Sequence, residues 1–189
     1  MFSGSEPKGE TMSFTKLLLS AACLACLATA ARAQAACTLT VDKAPSIRGL
    51  RLGMTLGEIK SFAPDIRVTD LGFGESIATL NWLDKADPAR FKGVNAVFLH
   101  FVDERVTVFS VVYDPSVNWE STSQFVAKVS EALKLPPAWE GGDSKTMVCD
   151  GFKITAQPNN ISLGIPDADK VVRRRRVEAA EKKRQDFRP

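Results

Sequence analysis

The chain contains one histidine, His100, and four cysteines, Cys23, Cys26, Cys37 and Cys149. Those two counts bound its chemistry. A nucleophile–base–acid relay would have to use His100. The nearest approach to a nucleophile elbow is Gly74-Glu75-Ser76-Ile77-Ala78, one glycine short of G-x-S-x-G. An elbow needs a strand-to-helix turn, whereas Ser76 leads into Ile77, Leu80 and Trp82, a strand-like pattern. His100 stands in an apolar run and reads as a packed side chain. A structural zinc site needs about four ligands at suitable spacing, and one His with two distant Cys does not supply them. Asp84, Asp87, Glu140 and Asp143 fall in loop segments without calcium-loop spacing and read as solvated surface. Gly72-Phe73-Gly74 lacks the third glycine and following helix of a dinucleotide loop, so it reads as a turn. Trp82, Trp119 and Trp139 read as core or its rim rather than a sugar groove. No catalytic residue, metal or cofactor is expected, and the chain reads as non-enzymatic.

The first 35 residues set the compartment. From Met12 a Lys-bearing start leads into Leu17–Ala28, an apolar run, and then Ala-Arg-Ala-Gln-Ala. That is the layout of a cleaved secretory signal, with the cut placed after Ala35 and residues 1–11 lying upstream of the charged start. The run is shorter than the roughly 20 residues of a spanning helix, and neither Cys23 nor Cys37 has the Leu three residues before it that a lipoprotein signal uses. The expected location is periplasmic or secreted. Cleavage removes Cys23 and Cys26, leaving Cys37 and Cys149, and an even pair in an oxidising compartment reads as a disulfide.

Residues 36–167 read as a single α+β domain. Thr55 with Glu58 forms a capping-box pattern that opens a short helix, with Met54 and Ile59 at the staple positions. Ile66–Asp70 and Ser76–Leu83 read as strands around the glycine turn, and Asp84–Gly93 as a loop. Val94–Val102 and Val106–Tyr113 read as a hairpin about Asp103-Glu104-Arg105. Val97, Leu99 and Phe101 lie on one side of the first of these, Val94, Phe98 and Val102 on the other, which predicts a sheet covered on both faces. Ser121 and Gln124 make a second capping box, opening a helix with Phe125, Val126, Val129 and Leu133 on one face. Pro136-Pro137 stops it. Thr146–Ala156 reads as one strand with a bulge at Gly151, followed by Ile161–Ile165. The expectation is an antiparallel sheet of about five or six strands with two helices packed on one face, plus a C-terminal polar helix or tail.

Charge is divided along the chain. Residues 36–169 hold 13 Lys/Arg and 17 Asp/Glu, net −4, whereas residues 170–189 hold 9 and 3, net +6. Arg173, Arg174, Arg175, Arg176, Lys182, Lys183 and Arg184 are the candidate binding residues, expected to contact an anionic surface: phospholipid, lipopolysaccharide, an acidic partner or the acidic body itself. Residues 168–189 are set apart as a basic helical or disordered tail, with Val171, Val172, Val177, Ala179 and Ala180 giving only a weak apolar stripe. Export argues against nucleic acid as the partner.

The string Gly49-Leu50-Arg51-Leu52-Gly53-Met54-Thr55 with Glu58-Ile59 resembles the Gly-Met-Thr helix start of the small lipoproteins of the outer-membrane β-barrel assembly machinery. Those share an architecture with the β-lactamase inhibitor proteins, and the whole layout resembles uncharacterised bacterial exported proteins. The resemblance implies helices packed on an antiparallel sheet and an extracytoplasmic location. The functional expectation is an exported, non-enzymatic binding module for an envelope protein or an anionic membrane surface. The alternatives are an inhibitor of an exported enzyme, using Leu71–Glu75 and Asp84–Lys92, and a small hydrolase with a site not evident in the residues.

Overall fold

A computed structural model describes residues 36–81, 87–117 and 119–188. The segment read as an export signal, with Cys23 and Cys26, and also Trp82 and Asp84 lie outside those residues. The described chain is α+β, built on one antiparallel sheet. Its strands are β1 (Val68–Gly72), β2 (Glu75–Asn81), β3 (Val94–Val102), β4 (Arg105–Tyr113), β5 (Lys145–Val148), β6 (Lys153–Gln157) and β7 (Asn160–Gly164), in the order β1-β2-β3-β4-β7-β6-β5. The helices are α1 (Leu56–Lys60), α2 (Pro88–Phe91), α3 (Thr122–Leu133) and α4 (Ala168–Gln185).

Seven strands replace the five or six expected, and the short α2 adds one helix to the two expected beside the C-terminal helix. The extra strand comes from residues 146–156. Gly151 takes φ +80° in a tight turn, where Cys149 N–H donates to the Phe152 carbonyl, so the segment folds back as β5 and β6 instead of bulging. A left-handed φ suits glycine because it has no Cβ to clash.

Local chemistry explains the helix starts. Thr55 Oγ1 accepts from Glu58 N–H at 3.2 Å, and the Glu58 carboxylate accepts from Thr55 N–H at 2.7 Å, a complete capping box. The hydrogen bonds that the Glu58 carboxylate accepts from the Thr55 N–H and the Thr55 hydroxyl hold it below its ordinary value. In α3 the box differs from the sequence expectation. Ser121 Oγ accepts from Gln124 N–H, but the Gln124 side chain accepts from Glu120 N–H instead of the cap residue's own. Lys134, in the left-handed region at φ 54°, ends α3 before the prolines.

The core lies on one face of the sheet. Cross-strand register aligns Ala78, Leu99, Phe109, Leu163, Ile154 and Met147 in one row, every member buried. A second buried row runs Leu80, Val97, Val111, Ile161, Ala156. Phe125 and Val126 of α3, Ile59 of α1 and Phe91 of α2 pack into the same cluster. Cys37 and Cys149 form a disulfide that ties the segment before β1 to the end of β5.

The opposite face corrects the expectation of cover on both sides. One residue along each strand, the matching row reads Thr79, Phe98, Ser110, Ser162, Thr155, Thr146. It is mostly hydroxyl, and Phe98 within it is 48% exposed. Among the described residues, a helix covers one end of this face. There Val102 is buried with Ala168 and Val172, against Ile165, as a small second cluster beneath the first turns of α4.

Candidate functional site at the open face and the C-terminal helix

α4 starts directly after β7 and is held to the body by ion pairs that its sequence does not announce. Arg175 makes a bidentate contact with Asp103, Nη1 to Oδ1 at 2.7 Å and Nη2 to Oδ2 at 2.8 Å, and Nη1 also donates to the Phe73 carbonyl at 2.9 Å. One guanidinium therefore joins the β1–β2 turn to the β3–β4 turn. Such fork-to-fork pairs are stronger and more directional than a single contact. The pairing lowers the Asp103 pKa, chiefly through hydrogen bonds from Arg175, and raises that of Arg175 through the same bonds. Arg176 pairs with Glu75 and lies 5.9 Å from the centre of the Phe73 ring.

Gly74 makes room for this contact. At φ +79° it completes a turn in which Gly72, Phe73 and Gly74 all have positive φ, and a Cβ there would collide with the Asp103 carboxylate and the Arg175 guanidinium. The glycines read from sequence as a turn are also the clearance for the helix.

Behind the ion pairs sits the histidine. His100 Nε2 is 2.7 Å from Glu75 Oε1, and Nδ1 is 2.9 Å from Thr107 Oγ1. An ionised carboxylate only accepts, so Nε2 bears the proton. Nδ1 accepts from the Thr107 hydroxyl in the neutral ring and donates to it in the imidazolium. Glu75 is 14% exposed at its side chain, and both of its oxygens are engaged, one by His100 and one by Arg176. A carboxylate withdrawn from water needs such partners. The sequence expectation of a packed His100 becomes a hydrogen-bonded one, half-buried on the open face.

Carboxylate, imidazole and hydroxyl form the composition of a nucleophile relay, but the geometry turns it inward. Thr107 is 8% exposed, and its hydroxyl lies 3.3 Å from the carbonyl of His100 on the neighbouring strand. Arg176 occupies the carboxylate's remaining oxygen. Ser76 pairs with Phe101 and shares its face, whereas His100 pairs with Ile77 on the other. The structure does not bring Ser76 and His100 together.

The remaining candidate residues divide by position. Arg174 pairs with Glu178 and Arg184 with Glu181, both along the helix. Arg173 donates to the Asp169 carbonyl. Arg173, Lys182 and Lys183 make no ion pair with a carboxylate among the described residues, and α4 is exposed from Ala180 to Gln185. α4 is thus anchored through Arg175 and Arg176 and displays its remaining cations. Sequence reasoning selected the cations but missed Glu75, Asp103 and Thr107. Glu75 opens a strand and Asp103 sits in a hairpin turn, and neither position carries a local pattern that points to a partner 101 or 72 residues away.

Beside the first turn of α4 the open face forms a trough of about 410 Å³, lined by Lys153, Thr155, Gln157, Ser162, Pro166 and Asp169 among others. Among the described residues no group of three or more His, Cys, Asp or Glu could hold a metal ion. Asp87 instead caps α2 and pairs with Arg90, and the Asp143 carbonyl accepts from Thr122. Trp119 packs edge-on to Phe125 and Trp139 Nε1 donates to Ser130. No described helix is long and apolar enough to cross a membrane. Comparison with protein-family models, curated proteins and solved structures finds no match.

Proposed function

We propose that the protein is an extracytoplasmic, non-enzymatic binding module that presents a braced cationic helix to an anionic membrane surface. The observation that supports it most is the division of labour within α4. Arg175 and Arg176 are spent on Asp103 and Glu75, while Lys182 and Lys183 extend from the anchored helix without carboxylate partners among the described residues. A helix fixed at one end offers its charges without first being ordered, which lowers the entropic cost of contact. Each Lys or Arg at an anionic lipid surface contributes about 1 kcal/mol, so a cluster of three or four gives salt-sensitive adsorption rather than permanent anchorage. The disulfide suits an oxidising compartment, and the likeness of the Gly49–Thr55 segment to the assembly lipoproteins supports the same location.

The test is cosedimentation of the protein comprising residues 36–189 with phosphatidylglycerol and phosphatidylcholine vesicles at low salt. Binding confined to the anionic vesicles, lost in Lys182→Glu/Lys183→Glu/Arg184→Glu and in salt near 0.5 M, is expected. Equal partition onto both vesicle types would refute it.

A second reading, inhibition of an exported enzyme, is favoured by the β1–β2 turn. Leu71 and Phe73 are 41% and 44% exposed there, on a turn that Arg175 braces. Rigid loops bearing exposed apolar tips suit insertion into a partner's cleft. Co-purification of a soluble enzyme with the wild type, and its loss in Phe73→Asp, would favour this reading over the membrane one.

A further inference from the structure

A second concavity lies away from α4, between the tight turn before α1, the start of β3 and the outer side of α3. Ile47 and Leu50 exchange hydrogen bonds around Arg48 and Gly49, both at positive φ. The turn directs the Arg48 guanidinium to the Lys92 carbonyl, Nη2 to O at 3.0 Å. Arg48 also stands beside the phenol of Tyr113, which burial and that neighbouring charge influence in opposite directions. The cleft below measures about 280 Å³, and its walls are almost wholly apolar, including Tyr113, Trp119, Phe125, Val129 and Ala132. Trp119 and Tyr113 both meet Phe125 edge-on, at 5.4 and 6.0 Å between ring centres.

The rim has the opposite character. Arg48, Lys92 and Lys128 border the cleft. Lys128 pairs with Glu131, but Arg48 and Lys92 have no carboxylate partner among the described residues. Two cations without a carboxylate partner among the described residues, at the mouth of an apolar, aromatic-lined cleft, define a complementary ligand: an anionic head and an apolar body. The volume lies just below the roughly 300–1,000 Å³ typical of drug-sized sites, so the body is a single ring or a short chain.

We infer that this cleft binds a small monocarboxylate with an aryl or short alkyl body, its carboxylate held by Arg48 and Lys92 and its body laid against Trp119, Phe125 and Val129. This site is independent of α4 and of the membrane reading.

Calorimetric titration of the protein with octanoate, and separately with octanol, tests it. Octanoate should bind at one site and octanol at least tenfold more weakly. Arg48→Gln and Lys92→Gln should each weaken octanoate about tenfold and leave octanol unchanged. Ala132→Trp, which fills the cleft from an exposed helix position, should abolish both. Lys92 is exposed, so its variant keeps the test valid if Arg48→Gln perturbs the turn. Equal affinity for octanoate and octanol, no octanoate binding at millimolar concentration, or binding that survives Ala132→Trp would each overturn the inference.

Discussion

The two faces of the sheet are built from the same strands, offset by one residue, and follow different physics. On the helix side Leu99, Phe109, Leu163 and Ile154 lie in register and are 2% exposed or less. On the other side their neighbours Phe98, Ser110, Ser162 and Thr155 leave a partly exposed surface. The first face is closed by burial, which is non-directional and strong in sum. The second is closed at one end by α4, through a three-residue apolar patch and directional ion pairs. The comparison separates a face that holds the fold from one that holds an appendage. The first should respond to cavities and lost cross-links, the second to charge, salt and pH.

The largest effect expected is on the closed face. The disulfide spans 112 residues, and opening a loop of that length costs about 5 kcal/mol in the chain-entropy model. Cys149→Ala with Cys37→Ala should lower the midpoint of chemical denaturation accordingly. A midpoint within error of the wild type would mean that the bridge does not constrain the unfolded chain.

Next comes a pair on one strand. Phe101 is fully buried and Phe98 half exposed. Phe101→Ala should destabilise by about 3–5 kcal/mol, and Phe98→Ala by about 1 kcal/mol or less. Comparable losses in urea titrations would show that the open face is covered in solution. A smaller change is expected at the cap of α1: Thr55→Ala removes one half of the capping box and should cost about 1 kcal/mol.

The smallest global effect, and the most local, concerns the α4 contact. Arg175 holds the Asp103 carboxyl below its ordinary value. A depressed carboxylate supports the docked state above its ordinary pKa of about 4 and loses that contribution as pH falls through the lowered value. Amides in residues 168–176 should therefore lose hydrogen-exchange protection below pH 4 before the sheet does. Asp103→Asn should reproduce that loss at neutral pH with little change in the global unfolding midpoint. Gly74→Ala should act in the same direction, because its Cβ intrudes on the same contact. Unchanged protection in both variants would show that α4 is held by its apolar patch alone.

Much of the closed face was legible because local rules agree with it. The Thr55–Glu58 and Ser121–Gln124 patterns mark helix starts that the structure contains. The Val- and Phe-rich runs mark the central hairpin, and the Cys37–Cys149 bridge is the pairing expected when Cys23 and Cys26 are read as part of a signal. The open face was misread for a physical reason. Phe98 and Val102 alternate with Leu99 and Phe101 as a doubly covered strand would require, but apolarity records what a position tolerates, not what lies above it. Val102 is covered by α4, and Phe98 is not. The β5–β6 hairpin was missed because a glycine in a β-rich run fits a bulge or a turn equally well until its φ is known.

Residue types and spacing alone determined the helix caps, the alternating strands, Cys37 and Cys149 as the candidate disulfide pair, and a basic C-terminal segment beside an acidic body. Tertiary structure decided which cations pair with distant carboxylates. Arg175 and Arg176 find Asp103 and Glu75 at separations of 72 and 101 residues, and the cleft gathers Arg48, Lys92, Tyr113 and α3 from four separate segments. Caps and alternation are set by neighbours a few residues apart, which a sequence displays. Charge pairing and concavity depend on which distant segments the packed sheet brings within a few ångströms of one another.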